Sequence, residues 1–265
     1  MDKLEKLKEV IRKYSSAVIA FSGGVDSTLV ARVSKDVLSD KVLLVTATSS
    51  TYPEFELEES KEIAKQLGIE QRIIKSEEID IPGFSDNPPD RCYYCKHELF
   101  TLITDIAQEM KYEAVFDGSN ADDLCDYRPG MRAIKELHIV SPLCEAALTK
   151  KDIRYYSDQL NLPTATKPSF ACLASRFPYG EKITREKLDR AGKSEKAIRD
   201  LGFTQFRVRC HGDLARLEFI PEEIDRAWQM RDTLETLCTE AGFTFVALDT
   251  RGYRTGAMNE MLDAT

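Results

Sequence analysis

The run Ser22-Gly23-Gly24-Val25-Asp26-Ser27 puts two glycines, two hydroxyls and a carboxylate side by side. Glycine lets backbone approach a ligand with no Cβ in between. An apolar, β-rich run at 17–21 precedes the glycines, and a helical pattern from Thr28 follows them. They therefore sit at a strand-to-helix turn. A helix N-terminus offers unpaired N–H groups and the positive end of its dipole to an anion. The chemistry this suits is phosphate binding. It is not a Walker loop: the one Gly-Lys-Ser, at Gly192-Lys193-Ser194, has Lys187 where that motif needs its first glycine. That run is expected to be incidental, on a helix surface.

Sulfur is the second chemical theme. Cys92 and Cys95 form a Cys-x-x-Cys after a Pro-rich loop. A redox dithiol, a zinc site and an iron–sulfur site all use such a pair. The sequence around it is not of the Trp-Cys-Gly-Pro type, and no second Cys-x-x-Cys completes a four-ligand zinc site. Iron–sulfur clusters take cysteine thiolates. Three cysteines on a four-iron cluster leave one iron open to a substrate atom. Cys125, Cys144, Cys172, Cys210 and Cys238 are the candidates for the third ligand. Cys172 is favoured because its loop carries polar Ser175 and Arg176, whereas Cys210 and Cys238 fall in a strand and a helix, as core cysteines do. Two plain core cysteines are the bland alternative for the pair.

These groups need a scaffold. Leu4, Leu7, Val10 and Ile11 recur at helical spacing. Strands are expected at 17–21, 41–48, 71–75 and 114–116, that at 41–48 buried. Helices are expected between them, from Ser27, from Pro53 to a stop at Gly68, and from about Lys96 to Met110. This alternation predicts an α/β fold, a doubly wound and mostly parallel sheet with ligands at the carboxyl ends of its strands. The acidic turn Asp117-Gly118-Ser119-Asn120-Ala121-Asp122-Asp123 leaves one such end. Thr149 caps a further helix. Pro178 and Gly180 break regular structure, so the expected domains are 1–178 and a smaller α+β domain, 179–265. In the tail a helix at about 184–201 leads into a hairpin pairing 205–209 with 214–218. A helix at about 221–241 and a strand at 243–248 follow. Alternation puts Arg207 and Arg209 on one face of the hairpin; a solvated face is the bland reading.

The chain has 265 residues, 42% of them hydrophobic, enough for a sizeable core. Its formal charge of −8 argues against broad nucleic-acid binding. Seven cysteines without a signal-peptide pattern argue against a disulfide framework and for metal or redox use. No apolar stretch approaches membrane-spanning length. The expected location is the cytoplasm, with no membrane partner.

The glycine run resembles the pyrophosphate loop of the N-type ATP pyrophosphatases, enzymes that split ATP between its α and β phosphates to adenylate a substrate. The likeness tightens with the acidic turn, with Asp126-Tyr127-Arg128-Pro129-Gly130, with Cys172-Leu173-Ala174-Ser175-Arg176-Phe177-Pro178-Tyr179-Gly180, and with Arg207-Val208-Arg209. Together, over essentially the whole chain, they resemble the LarE family of ATP-dependent sulfur transferases. These adenylate the carboxylates of a pyridinium biscarboxylic acid mononucleotide and replace oxygen with sulfur, for the nickel-pincer nucleotide cofactor of lactate racemase. The resemblance implies ATP at Ala20, Ser22, Gly23, Gly24, Asp26, Ser27, Thr46, Asp117, Gly118 and Asn120, with magnesium on Asp26. It implies substrate at Ser175, Arg176, Glu195, Arg207 and Arg209, although Glu195 also suits a plain helix surface. A guanidinium grips phosphate and carboxylate bidentately.

The family carries sulfur in two ways. One member type sacrifices a single cysteine, which becomes dehydroalanine. The other holds a four-iron four-sulfur cluster (4Fe-4S) on three cysteines. Cys172 matches the cysteine used in both, and Cys92 with Cys95 matches the cluster type. Asp26 and Cys172 are the expected catalytic residues, and a homo-oligomer built through the tail is implied. The alternatives are a cluster-dependent tRNA thiolation enzyme, and an amide-forming enzyme like NAD synthetase, which has no need of the cysteine set.

Overall fold

The N-terminal unit is built on one parallel sheet, as the strand–helix alternation predicts. A computed structural model describes residues 2–125 (Cys125 in backbone only), 129–168, 170–254 and 256–257. The motif residues Asp126, Tyr127, Arg128 and Ser169 lie outside the described residues. Chain order runs α1 (Lys3–Ile11), β1 (Ala17–Ala20), α2 (Val25–Leu38), β2 (Val42–Thr48), α3 (Glu54–Leu67), β3 (Glu70–Lys75), α4 (Arg91–Glu109), β4 (Ala114–Phe116), α5 (Gly130–Glu136), α6 (Pro142–Glu145) and α7 (Lys150–Gln159). The sheet order is β3-β2-β1-β4. Every pairing is parallel, with Ala17 beside both Val42 and Ala114.

Period-two burial sorts the strand side chains into two cores. Ile19 and Leu44 face Leu7, Ile11, Leu29 and Ile153 on one side of the sheet. Val18, Leu43, Val45 and Val115 face Phe100, Ile103 and Ile134 on the other. Helices thus cover both faces, which suits the apolar strands β1, β2 and β4, whereas the edge strand β3 is polar and largely exposed. Strand order reverses at β1, whose neighbours are β2 and β4. A crevice opens at the carboxyl ends of strands where the order reverses. The glycine run leaves β1 there and the acidic turn leaves β4.

A second compact unit comprises 79–89 and 171–265. It holds α8 (Arg185–Asp200), β5 (Phe206–His211), β6 (Leu214–Phe219), α9 (Pro221–Gln229), α10 (Arg231–Glu240) and β7 (Phe245–Leu248). The hairpin β5–β6 is antiparallel, and β7 adds to β6 in parallel. Packing divides the chain at Phe170/Ala171, so 171–178 and the Pro-rich segment 79–89 go with this unit. Asn87 ties that segment in: its side-chain amide donates to the carbonyls of Phe177 (3.3 Å) and Pro178 (2.6 Å).

Two helices differ from expectation. The helix expected from Lys96 begins at Arg91, so Cys92 and Cys95 lie inside its first turns rather than before it. The helix expected over 221–241 is broken at Met230, whose φ of −96° and ψ of 13° leave the α region. No helix among the described residues is long and apolar enough to cross a membrane.

Candidate active site

In the N-terminal unit the loop after β1 is held in a single shape. Gly23 has φ of +68°, and a Cβ there would lie 3.0 Å from Cα and Cβ of Ser60 on α3. Both the dihedral and the approach demand glycine. Gly118 meets the loop from β4: a Cβ on it would lie 3.2 Å from the Ser27 amide nitrogen. Ser22 and Ser27 are joined through their hydroxyls at 3.2 Å. The first turn of α2 follows at once, with Gly24 as its N-cap and Asp26 inside it.

The loop's carbonyl oxygens are all occupied. The Thr46 hydroxyl donates to Phe21 O at 2.6 Å. The Tyr52 hydroxyl donates to Ser22 O at 3.0 Å. Lys167 Nζ donates to Gly23 O at 3.2 Å. Gly24 O accepts from Thr28 N at 3.0 Å and from the Ser27 hydroxyl at 3.3 Å. Thr46, expected at the nucleotide, is buried and spends its hydroxyl on the loop, while accepting from the Gln71 amide at 2.8 Å.

The acidic turn after β4 faces the start of α2. Asn120 Nδ2 donates to Asp26 Oδ1 at 3.3 Å, and Lys150 Nζ pairs with Asp26 Oδ2. The Lys150 amide donates to Asp122 Oδ2 at 2.7 Å. A capping box of Thr149 and Asp152 fixes the start of α7 and so the root of the Lys150 side chain. Asp117 is buried; the Ser119 hydroxyl donates to one of its oxygens, and Oδ1 has no partner. Lys167 reaches Glu56 and Glu59 on α3, both at 2.7 Å. Carboxylates thus outnumber lysines around the loop, so a cation would ease the approach of a phosphate chain. Asp26, and Asp117 with its unpartnered buried oxygen, fit that cation.

Lys150 and Lys167 were not among the residues singled out from the sequence. Each pairs with the loop region from more than a hundred residues away. A lysine at a helix start and a lysine before proline carry no local mark of that role.

Cys92 is exposed and Cys95 half-buried at the start of α4. Spacing of i and i+3 puts them on one helix face, so the pair fits two corners of a cluster. Cys95 Sγ lies 3.8 Å from Glu78 Oε1. Cys144 is poorly suited as a ligand: its thiol donates to Asn120 O at 3.1 Å, and burial beside Asp117 and Asp123 pushes it up to about 11. Within neither unit do three His, Cys, Asp or Glu side chains stand together as a metal site among the described residues.

The second unit gathers the expected substrate residues around buried charge. Arg176 is fully buried and grips Glu195 bidentately, Nε to Oε1 and Nη2 to Oε2, both at 2.7 Å. Its Nη1 binds Ala171 O at 2.8 Å, Cys172 O at 3.3 Å and the Ser175 hydroxyl at 2.8 Å. Glu195 is no helix-surface charge: it is buried, and its Oε1 also accepts from Val208 N at 3.0 Å. Burial alone would raise its carboxyl, but the Arg176 charge and hydrogen bonds outweigh burial and hold it below the usual range.

Arg207 and Arg209 share a strand face, as alternation predicts, but the face is buried rather than solvated. Burial, with Arg176 near, pushes Arg207 down to about 10, still charged at neutral pH. Its guanidinium lies 5.0 Å from the Tyr253 ring centroid. Arg209 binds Glu218 through Nε at 2.9 Å and Ser175 O through Nη1 at 2.9 Å. Cys172 itself is exposed at the rim of this cluster, on backbone that Arg176 fixes. Cys210 and Cys238 are buried, and burial pushes their thiols up to about 12 and about 11.

The Arg176–Glu195 pair carries a prediction. Removing one partner of a buried ion pair costs about 3–5 kcal/mol, because the other charge is left uncompensated. Glu195→Ala is expected to lower the unfolding temperature sharply, read by calorimetry. A shift within the error of wild type would show that the pair does not hold the Cys172 loop.

Comparison with known proteins fits this geometry. Residues 2–86, which span the loop and α3, match the NAD synthase family. An uncharacterized protein of Synechocystis is 44% identical over 98% of each chain. Pyridinium-3,5-bisthiocarboxylic acid mononucleotide synthase of Lactiplantibacillus plantarum is 34% identical over 97% of this chain and 93% of its own. The chain belongs to the LarE family. A glutamine-hydrolyzing GMP synthase component from Sulfurisphaera tokodaii is 26% identical over 76% of this chain and 59% of its own. With its parallel sheet flanked by helices, the fold is that of the N-type ATP pyrophosphatases.

Proposed function

We propose that this enzyme is an ATP-dependent sulfur transferase of nickel-pincer nucleotide synthesis, acting on the carboxylates of pyridinium-3,5-biscarboxylic acid mononucleotide. The relationship along nearly the full chain to the synthase of L. plantarum is the observation that carries it. A carboxylate is a poor electrophile. Transfer of AMP from ATP makes it an acyl adenylate and releases pyrophosphate, which the loop of Ser22–Ser27 and the first turn of α2 would hold. Sulfur then attacks the acyl carbon and AMP leaves. Asp26 would orient magnesium on the phosphates, with Asn120 beside it. Arg207 and Arg209 suit the anionic groups of the mononucleotide, with Arg176 and Glu195 fixing the loop of Cys172 and Ser175.

For the source of sulfur we favour a 4Fe-4S cluster on Cys92, Cys95 and Cys172. The pair at the start of α4 supports this, because a sacrificial mechanism needs one cysteine only. When bound, the cluster supplies a replaceable sulfide. Cys172 would present its thiolate from a loop whose carbonyls Arg176 pins.

Mass spectrometry of the mononucleotide after incubation with the protein, ATP and magnesium tests the assignment. Thiocarboxylated product with stoichiometric AMP is expected. Sulfur delivered to tRNA instead would overturn it.

A further inference from the structure

In a planar trans peptide the carbonyl and the following N–H point in opposite directions. Whatever grips the carbonyl side of a loop therefore aims its amide side. Four consecutive carbonyls, from Phe21 to Gly24, are gripped here. Only the last is held by the helix that follows it. Thr46 near the end of β2, Tyr52 before α3 and Lys167 after α7 hold the other three. Turning the loop over would break contacts to three separate segments of the chain.

We propose that Thr46, Tyr52 and Lys167 are positioning residues, a brace on the carbonyl side of the loop that aims the N–H groups of Ser22, Gly23 and Gly24 at departing pyrophosphate. The inference rests on the ATP reading above. The amides it concerns are weakly committed: Ser22 N and Gly24 N each donate to a serine hydroxyl at 3.3 Å, long for an N–H···O bond. A phosphate oxygen displaces such partners readily. The brace is durable where the amides are loose. Thr46 is buried, and Lys167 is clamped between Glu56 and Glu59. Tyr52 keeps its proton, since burial and the neighbouring Glu56 raise its pKa.

Such a brace is preorganisation: donors set before charge develops cost no rearrangement when the bond breaks. Its loss should be felt by pyrophosphate and not by the nucleoside end of the ligand. The test uses the full chain with magnesium pyrophosphate and, separately, adenosine, each titrated calorimetrically. Tyr52→Phe removes one hydroxyl, and Thr46→Val removes another at nearly constant volume. Each is expected to weaken pyrophosphate about five- to ten-fold, the size of one neutral hydrogen bond, with adenosine affinity unchanged. Turnover of adenylation should fall while KM for ATP moves less. Lys167→Met should weaken pyrophosphate more, with Lys167→Arg restoring part of the loss. Folded variants that bind pyrophosphate as wild type does, or lose both ligands equally, overturn the brace alone. Wild type that binds neither ligand removes the ATP reading and the brace together.

Discussion

Replacing Asp26 with alanine is expected to abolish ATP-dependent pyrophosphate release, by about a thousand-fold or more, the scale of losing a group that stabilises charge in the transition state. Asp26 stands in the first turn of α2, and its carboxylate faces Asn120 and Lys150 across the crevice. In the proposed mechanism magnesium stands between the rim carboxylates and the phosphate chain, and Asp26 is the carboxylate nearest the loop's glycines in sequence. The side chain is about a quarter exposed, so its removal opens no core cavity and costs little stability. Release of pyrophosphate and thermal unfolding, measured on the same preparation, separate the two effects. Normal release by a folded variant would take Asp26 out of the mechanism.

Cys172→Ala is expected to end sulfur transfer altogether while pyrophosphate release continues. In the proposed mechanism the two chemical steps use different residues, and the Cys172 side chain is exposed. Pyrophosphate and thiocarboxylate are counted in parallel assays. Formation of thiocarboxylate by the variant would sink the assignment. The same residue decides how sulfur is carried. Sacrifice removes one sulfur and two hydrogens from the polypeptide, whereas cluster transfer leaves its mass unchanged. Intact-protein mass spectrometry after anaerobic turnover is expected to show no loss, and Cys92→Ala with Cys95→Ala is expected to abolish turnover. Dehydroalanine at residue 172, with full activity in that double variant, would establish sacrifice instead.

The parallel sheet was legible because three of its strands are short apolar runs separated by helical periodicity, and because glycine marks the turn at Gly23 and the stop at Gly68. The capped start at Thr149 was legible for the same local reason. Where long-range approach decides, the sequence was silent. Nothing near Lys150 or Lys167 announces a partner more than a hundred residues away. The proline-rich segment read as a loop before a helix at Lys96. Asp90 and Arg91 instead open the helix directly, and the segment packs with residues far downstream. Met230 breaks a helix with neither proline nor glycine to mark it. Alternation placed Arg207 and Arg209 on one face but could not tell that carbonyls and carboxylates would let that face be buried.

The seclusion of Cys210 and Cys238 makes the native protein its own gauge of occupancy. With burial holding both sulfurs protonated far above neutral pH, a maleimide or iodoacetamide reads almost none of them before denaturation. Cys144, engaged with Asn120, lags behind. In a Cys125→Ser background, the fast-labelling fraction is expected to come from Cys92, Cys95 and Cys172, and under the proposed cluster its loss on reconstitution would report their engagement, with the slow fraction as internal standard.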